Sequence, residues 1–324
     1  MKRREFIGFV GGVLASPIAA RGQQPAKRVG YLGFGTPAAS ATRIEALRAG
    51  LNSLGYIEGQ NIAIEFRWAK NADELREFAD QLVAQNVDII FATSSTETGA
   101  ARQATKTIPI VFATHADPVG TGHVASLARP GGNITGLSVL QSELTAKALE
   151  ILKEVVPEAK RFGVLSSPTA PSHVPTMRAA EAAAKMLGVT LHTVLVWAVE
   201  EFEEAFAKMA RADVQAVFVG AYALTVRSRP ELLAELAIKY RLPSMFGARD
   251  NVAAGGLMSY SPDLVDLHRR AATYIDKVLK GSKPADLPVE QASQYQLTIN
   301  LKAAKALDLT LPPALLARAD EVIE

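Results

Sequence analysis

Small polar side chains follow several predicted buried strands in this chain of 324 residues. Hydroxyl and backbone N–H groups at a helix start favour a carboxylate or other small anion, as at Ser94-Ser95-Thr96. Asp117 and Asp250 end equivalent strands and suit a ligand ammonium group. Tyr222 and Phe246 supply an apolar or stacking wall. The predicted ligand-binding residues are Phe34, Gly35, Thr36, Ser94, Ser95, Thr96, His115, Asp117, Ser166, Ser167, Ala221, Tyr222, Gly247 and Asp250.

The motifs of common catalytic and metal sites are missing from the sequence, so we predict no catalytic residue, metal or cofactor. The five histidines show no H-E-x-x-H spacing, and neither G-x-S-x-G nor G-x-x-x-x-G-K-[ST] is present. His115 and Asp117 alone are too few ligands for a metal ion, which needs three or four. Cysteine is absent, which excludes thiol nucleophiles, thiolate metal sites and disulfides and fits an oxidising compartment.

The segment Gly33–Ala38 fits the pattern G-x-G-x-x-A, which leaves a dinucleotide-binding enzyme as an alternative. In such enzymes an acidic residue about 20 positions further on binds the ribose. Here Pro37 lies in the turn, and Glu65 comes about thirty residues later. We therefore favour a loop that approaches a ligand closely over a phosphate site.

The same glycine-containing stretch belongs to a long internal repeat. KRVGYLGFG at Lys27–Gly35 recurs as KRFGVLSS at Lys160–Ser167, 133 residues later. IPIVFATHAD from Ile108 recurs as LPSMFGARD from Leu242, 134 residues later. A unit of this length is too large for a solenoid repeat and instead indicates two similar α/β lobes.

Strand and helix patterns alternate in both halves, which predicts a doubly wound parallel sheet in each lobe. Continuous apolar runs such as Val87–Ala92 are typical of parallel strands covered on both faces. Apolar residues at helical spacing predict helices such as Ala39–Leu54. The segment Asp117–Gly136, with two prolines and five glycines, interrupts the alternation. There we predict a short helix at His123–Leu127 and a strand at Ile134–Leu137 that crosses out of lobe one.

Lobe two has its full set of elements before Leu264, so the helix Leu264–Leu279 is expected to pack on lobe one. The tail then returns to lobe two, which makes about three crossovers and hinged lobes. The expected fold class is α/β, with two Rossmann-like doubly wound parallel-sheet lobes. The predicted ranges are an export signal at 1–24, lobe one at 25–135 plus 261–286, and lobe two at 136–260 plus 287–324.

The predicted ligand site depends on the arrangement of these lobes. Ligands bind outside the carboxyl ends of parallel strands, so two facing sheets place both sets of loops on one cleft. Taken singly, each predicted residue also has an ordinary explanation as a helix cap or a turn residue. The prediction therefore depends on all of them sharing one cleft.

The first 22 residues hold four basic residues and one acidic residue, so the rest of a chain with net charge +2 is near neutral. A near-neutral protein does not favour nucleic acid as a partner, and we expect a monomer. Basic residues, an apolar run at Phe6–Ala20 and small residues before Gln23 have the order of an export signal. Arg3-Arg4 with Phe6-Ile7 resembles a twin-arginine signal, which predicts a periplasmic location; the alternative is a buried first helix.

Five segments spread over nearly all of Lys27–Glu324 resemble a known family. They are GYIEGQNIAIEFRWA at Gly55–Ala69, IPIVFA with DPVGTGHVASLARPGGNITG within Ile108–Gly136, LEILKEVVPEAKRFGVL at Leu149–Leu165, AAGGLMSYSPD at Ala253–Asp263 and TINLKAAKALDL at Thr298–Leu309. The chain resembles the type I periplasmic binding proteins. Among them it is similar to the substrate-binding components of ABC transporters in the tryptophan/phenylalanine-binding-like group.

The resemblance implies a role for several residues. In relatives that bind aromatic amino acids, hydroxyl residues at the third-strand turn and acidic residues in the cleft bind the two ends of the amino acid. Ser94, Ser95, Thr96 and Asp117 match that pattern. The lobe-two turns Ser166–Thr169 and Gly220–Tyr222 depart from the turns that these relatives commonly carry.

The function implied by the resemblance is capture of a small solute, such as an amino acid, between the lobes. The protein would then deliver the solute to the permease of an ABC transporter and would have no enzymatic activity. Two alternatives stay open at this point. One is a periplasmic enzyme with a dinucleotide-type cofactor, and the other is a module that reports its ligand to a membrane receptor.

Overall fold

The computed structural model of the protein describes residues 26–222, 224–225, 229–292 and 294–324. The predicted export signal at 1–24 lies outside these residues. The described strands form one sheet of six strands and one of seven, which confirms the two-lobed α/β fold. None of the described helices is long and apolar enough to cross a membrane.

The elements fall into three runs along the chain. The first run is β1 (Lys27–Phe34), α1 (Ala41–Ser53), β2 (Ile62–Ala69), α2 (Ala72–Ala84), β3 (Ile89–Ser94), α3 (Ser95–Ala104), β4 (Ile110–His115) and β5 (Ile134–Ser138). The second run is α4 (Gln141–Val155), β6 (Arg161–Ser166), α5 (His173–Leu187), β7 (Thr190–Leu195), α6 (Phe202–Arg211), β8 (Ala216–Val219), α7 (Pro230–Lys239), β9 (Ser244–Phe246), α8 (Arg249–Ala253) and β10 (Met258–Pro262). The third run is α9 (Leu264–Leu279), β11 (Glu290–Gln291), β12 (Tyr295–Asn300), α10 (Leu301–Ala306), α11 (Pro313–Leu316) and β13 (Glu321–Ile323).

The two sheets share the same order over their first five strands. Lobe one has the order β2-β1-β3-β4-β5-β11, and all of its pairs are parallel. Lobe two has the order β7-β6-β8-β9-β10-β12-β13. In this topology the ligand crevice lies where the strand order reverses, beside β1 and β3 in one lobe and beside β6 and β8 in the other.

One strand departs from the expected parallel arrangement, because β12 pairs antiparallel with β10. The chain reaches β12 directly from β11, without a crossover helix in between. A strand that enters from the end where its neighbour finishes must run back along it. The rest of the lobe-two sheet pairs in parallel.

The chain passes between the lobes after β5, after β10 and after β11, which gives the expected three crossovers. The helix α9 packs on α1 of lobe one, and β12 joins the sheet of lobe two, as predicted. Strand pairing keeps all of β5 and also β11 in the first sheet, beyond the predicted divisions after residues 135 and 286. The domain ranges themselves stay a prediction.

An apolar core lies on each face of each sheet. In lobe one, α1 and α9 cover one face, and α2 and α3 cover the other. In lobe two, α4 and α5 cover one face, and α6 and α7 cover the other. Burial on both faces explains why strands such as β4 are apolar over most of their length.

The predicted helix at His123–Leu127 is wrong, because this segment forms turns and bends. The N–H groups of His123 and Val124 both donate to the carbonyl oxygen of Pro118, at 2.9 and 3.0 Å. Two donors on one acceptor fold the segment into a tight turn, so the successive bonds of a helix do not form.

Candidate functional site

A cavity with two chambers lies between the carboxyl ends of the two sheets. Counting the open solvent at the mouth of each, the inner chamber has about 600 Å³ of space and the outer chamber about 960 Å³. Both chambers are lined by Thr96 of lobe one and by Ala170 and Tyr222 of lobe two. A Cβ atom placed on Gly99 would lie 4.0 Å from Cγ of Pro171 in the other lobe. The lobes therefore meet across the cleft.

Eight of the fourteen predicted residues line this cavity. Seven of them lie together because β1, β3, β6 and β8 all end at the point where strand order reverses, and Gly247 follows the neighbouring strand β9. Their role as ligand contacts stays a prediction. The eight residues are Phe34, Ser94, Ser95, Thr96, Ser167, Ala221, Tyr222 and Gly247.

The other six predicted residues are not among the described residues that line either chamber: Gly35, Thr36, His115, Asp117, Ser166 and Asp250. The Thr36 hydroxyl accepts from the N–H of Ala39 at 3.3 Å in the turn after β1. The Asp117 carboxylate accepts from the N–H of Gly120 at 2.7 Å. Both residues therefore stabilise turns.

Asp250 forms an ion pair with Arg43 of α1 in the opposite lobe, with 2.7 Å between the side-chain nitrogen and oxygen. The neighbouring Arg249 pairs with Glu321 and not with Asp250. Asp250 thus joins the two lobes at the edge of the cleft.

Glu97, which sequence reasoning missed, is fully buried in the first turn of α3. Its carboxylate accepts from the hydroxyl of Thr93 at 2.6 Å and from that of Ser94. The Glu97 carboxylate therefore already occupies the start of α3, where we expected the anion of a ligand. Because the Ser94 hydroxyl donates to Glu97, its lone pairs are left for an N–H group of a ligand. The signal in the sequence is the Ser94-x-x-Glu97 spacing of a capping box.

Ser95 and His115 belong to a chain of hydrogen bonds under the floor of the inner chamber. The Ser95 hydroxyl accepts from the N–H of Ala116 at 2.9 Å and lies 3.2 Å from Nδ1 of His115. The N–H of Asp117 also donates to this Nδ1, at 3.2 Å. Since Nδ1 accepts, the proton of His115 lies on Nε2, which is 2.7 Å from Nδ1 of His123. His115 therefore positions Ser95 from below.

Both of these imidazoles are held neutral. Burial, and then the neighbouring His123, lowers the pKa of His115 well below its usual range. Burial, and then the charge of Arg102, lowers the pKa of His123 to about 4. A neutral pair supports the tautomers that the hydrogen bonds require.

Tyr222 forms a wall shared by both chambers, and its position is fixed from two sides. Its hydroxyl lies 2.9 Å from the hydroxyl of Ser166, which also lies 2.8 Å from Nδ1 of His173. A Cβ on Gly220 would lie 2.5 Å from the Tyr222 ring, so glycine leaves the space that the ring occupies. Burial raises the pKa of Tyr222, so its hydroxyl stays protonated. Ser166 acts here by positioning this aromatic wall.

Two further polar residues of the inner chamber, Gln141 and Ser172, were missed by sequence reasoning. Gln141 begins α4 directly after a crossover and is 4% exposed, and Ser172 precedes α5 and is 3% exposed. A serine before a helix is a common cap, so the sequence pattern indicates a structural role for Ser172. Gln141 carries no comparable signal, since its place in the cavity depends on how the lobes meet.

Three known proteins are similar to this chain in sequence or in fold. A solved structure described as an ABC domain in complex with L-Trp from Streptococcus pneumonia is 28% identical, with a TM-score of 0.86 over 92% of this chain and 100% of that one. A conserved domain protein from Vibrio cholerae is 30% identical, with a TM-score of 0.86 over 92% and 99% of the two chains. The Tyrosine-binding protein of Clostridioides difficile (strain R20291) is 29% identical over 260 residues, which are 80% of this chain and 74% of that protein.

The structural and sequence comparisons agree on one family. Both solved relatives align over nearly the whole described chain, so the resemblance in fold extends to both lobes and the cleft. The family model for the ABC transporter substrate binding protein matches residues 36–323. Because that match covers most of the chain and includes every residue that lines the cavity except Phe34, the protein belongs to the family of ABC transporter substrate-binding proteins.

Proposed function

We propose that the solute captured by this protein is an amino acid with an aromatic or other large apolar side chain. Capture of a small solute for an ABC transporter follows from the family. The observation that carries the proposal is the lining of the inner chamber, which joins an apolar wall to neutral polar groups. The relatives that bind L-Trp or are named for tyrosine support the same class of solute.

The apolar wall consists of Tyr222 from lobe two and of Val139, Pro262 and Leu264 beside the crossovers. A planar side chain of a ligand gains both apolar burial and ring contact against Tyr222. Because Tyr222 is already fixed by Ser166, little conformational freedom is lost when a ligand packs on it.

Charged side chains lie in the outer chamber instead. Of the described residues, those that line the inner chamber carry no formal charge, whereas Lys70 and Glu200 line the outer one. An apolar side chain in the inner chamber avoids the desolvation of a charged group. A solute with a charged side chain, such as glutamate or lysine, fits the inner chamber poorly.

Binding of the solute favours the closed form, because the solute contacts both lobes at once. The closed form then delivers the solute to a permease. We propose that the protein acts as a monomer in the periplasm, after export through the twin-arginine-like segment at its start. Solute-binding relatives support a binding role without turnover.

Thermal unfolding tests the proposed solute. The protein is first unfolded in denaturant, dialysed and refolded to remove any bound solute, and is then melted with each of the twenty amino acids. We expect tryptophan, tyrosine or phenylalanine to stabilise it by ~2.7 kcal/mol at 100 times Kd. Alanine and glutamate serve as small and charged controls. Stabilisation by glutamate or lysine alone, or by no amino acid, would exclude this class of solute.

A further inference from the structure

Three polar side chains that line the inner chamber make no hydrogen bond within the described residues: Thr96, Gln141 and Ser172. Gln141 and Ser172 are almost fully buried. The other hydroxyl residues of this lining are already bonded to protein groups, as at Thr114, whose hydroxyl donates to the carbonyl oxygen of Thr93 at 2.6 Å. Buried polar groups in folded proteins nearly always have partners, so the buried side chains of Gln141 and Ser172 indicate a ligand that supplies them.

Each of the three side chains lies at the start of a helix. Thr96 is in the first turn of α3, Gln141 is the first residue of α4, and Ser172 is the N-cap of α5. The hydroxyl of Ser172 makes no capping bond to its own helix, so it can turn to the chamber. The starts of α4 and α5, each 15 residues long, therefore bring two partial positive charges to the chamber.

We propose that Gln141 and Ser172, together with Thr96, bind the carboxylate of the ligand. The proposal deepens the proposed function and rests on the ligand being an amino acid. The amide of Gln141 and the two hydroxyls donate to carboxylate oxygens, and the helix starts stabilise the charge without a cationic side chain. The start of α3 is the least suited of the three, because the Glu97 carboxylate already faces it.

This arrangement also connects ligand binding to closure of the cleft. Thr96 belongs to lobe one, Ser172 belongs to lobe two, and Gln141 lies beside the first crossover. A carboxylate that bonds to all three satisfies them only when the lobes are together. It therefore binds the closed form more tightly than the open one, which is the condition for a ligand to shift the equilibrium.

Calorimetric titration with L-tryptophan and with tryptamine, which lacks the carboxylate, tests the contact. We expect Gln141→Met to weaken binding of L-tryptophan about ten-fold and Ser172→Ala about five-fold, as for lost hydrogen bonds to a charged group. Binding of tryptamine should change less than about two-fold. Gln103→Met, on the exposed side of α3, is the matched control and should bind both compounds like the wild type.

Melting of the ligand-free protein gives a second test that does not need a known ligand. If Gln141 is held for a ligand, Gln141→Met removes a buried polar group without a partner and leaves the melting temperature equal or higher. A lower melting temperature, or equal weakening of both compounds, would overturn the proposal. If the wild type binds neither compound, the proposed solute class fails, and the melting temperature of Gln141→Met still decides whether this residue is held for a ligand.

Discussion

The guanidinium of Arg43 in lobe one and the carboxylate of Asp250 in lobe two lie 2.7 Å apart across the cleft. The Arg43 side chain is 3% exposed and that of Asp250 42%. Arg43 is fixed to its own lobe by a 2.5 Å bond to the carbonyl oxygen of Ala39. Among the described residues no other ion pair joins the two lobes. Asp250 lies two residues after Ala248, which lines the inner chamber. The ion pair therefore joins the segment that lines the chamber to the opposite lobe.

The change Asp250→Asn should raise the Kd for the solute about five-fold, because a partly exposed ion pair contributes up to about 1 kcal/mol to the closed form. Most of the effect should appear as faster release. Stopped-flow fluorescence at low ionic strength measures it, and the difference from wild type should shrink at high salt.

The matched control is Asp308→Asn, which removes the exposed pair between Arg241 and Asp308 within lobe two. It should leave release unchanged. Equal release rates for wild type and Asp250→Asn at low salt would show that the ion pair does not hold the closed form. If Asp250 contacted the ligand directly, the difference would instead persist when Arg43 is replaced by methionine.

Replacing Glu97 should affect recognition of the amino group. In Glu97→Gln the amide donates to one of the two hydroxyls, so Ser94 no longer presents the same lone pairs to the chamber. We expect binding of L-tryptophan to weaken about ten-fold, while indole-3-propionate, which lacks the amino group, changes little. Calorimetry with both compounds measures the difference.

Glu231→Gln, in the first turn of α7, is the control for loss of a carboxylate near a helix start. It should not alter binding of either compound. Equal weakening of the two compounds in Glu97→Gln would indicate general damage to α3 and would contradict a contact to the amino group.

The neutral imidazole pair predicts how stability depends on pH. The pKa of His123 is about 4 in the folded protein, against about 6.5 in an unfolded chain. Between these values the unfolded state binds more protons, so the free energy of unfolding falls as the pH is lowered. Allowing for partial exposure of the ring, we expect His123 to account for a loss of about 1 kcal/mol between pH 7 and pH 5.

His123→Asn isolates this effect, because the Asn Oδ1 replaces Nδ1 as the acceptor for His115 and does not titrate. Urea unfolding of both proteins at pH 7 and pH 5 provides the measurement. The variant should lose less stability than the wild type over this interval. Parallel losses would show that His123 is not held neutral in the folded protein.

Gly136 lies in β5, at a position that does not tolerate a side chain. Its φ is +148°, and a Cβ there would lie 2.0 Å from the carbonyl oxygen of Phe112 on the neighbouring strand β4. Because backbone must move, Gly136→Ala should lower the free energy of unfolding by about 3 kcal/mol or more. Gly132→Ala is the control, since a Cβ there meets nothing within 4 Å. Similar urea midpoints for the two variants would contradict this account.

Patterns of apolar residues and the internal repeat in the sequence were sufficient to predict most of the fold. The apolar strands, the helical spacing and the repeat of Lys27–Gly35 at Lys160–Ser167 correctly indicated two doubly wound lobes, and α9 returns to lobe one as expected. The sequence-based predictions were wrong where the spacing of apolar residues does not decide the backbone conformation. At His123–Leu127 the chain folds back on Pro118, and β12 runs antiparallel because of the direction from which it enters the sheet.

For the cavity, the sequence was informative about location and less so about chemistry. The rule that ligands bind at the carboxyl ends of parallel strands pointed to Ser94, Thr96 and Tyr222, and these residues line the cavity; their contact with a ligand stays a prediction. It did not find Gln141, because this residue lines the chamber from a crossover and not from the end of a strand. Nor did it separate side chains that face the chamber from those that support it from below, such as Ser166.

By itself, then, the sequence determined the two lobes, the cleft between them and the exclusion of thiol chemistry, since these follow from composition, from the spacing of apolar residues and from the internal repeat. Only the tertiary structure decided which polar groups are already bonded. Asp250 looked ready for a ligand, yet it is paired with Arg43, 207 residues away in the sequence. Hydrogen-bond partners are chosen by distance in space, and closure of two lobes brings together residues whose sequence positions give no sign of contact.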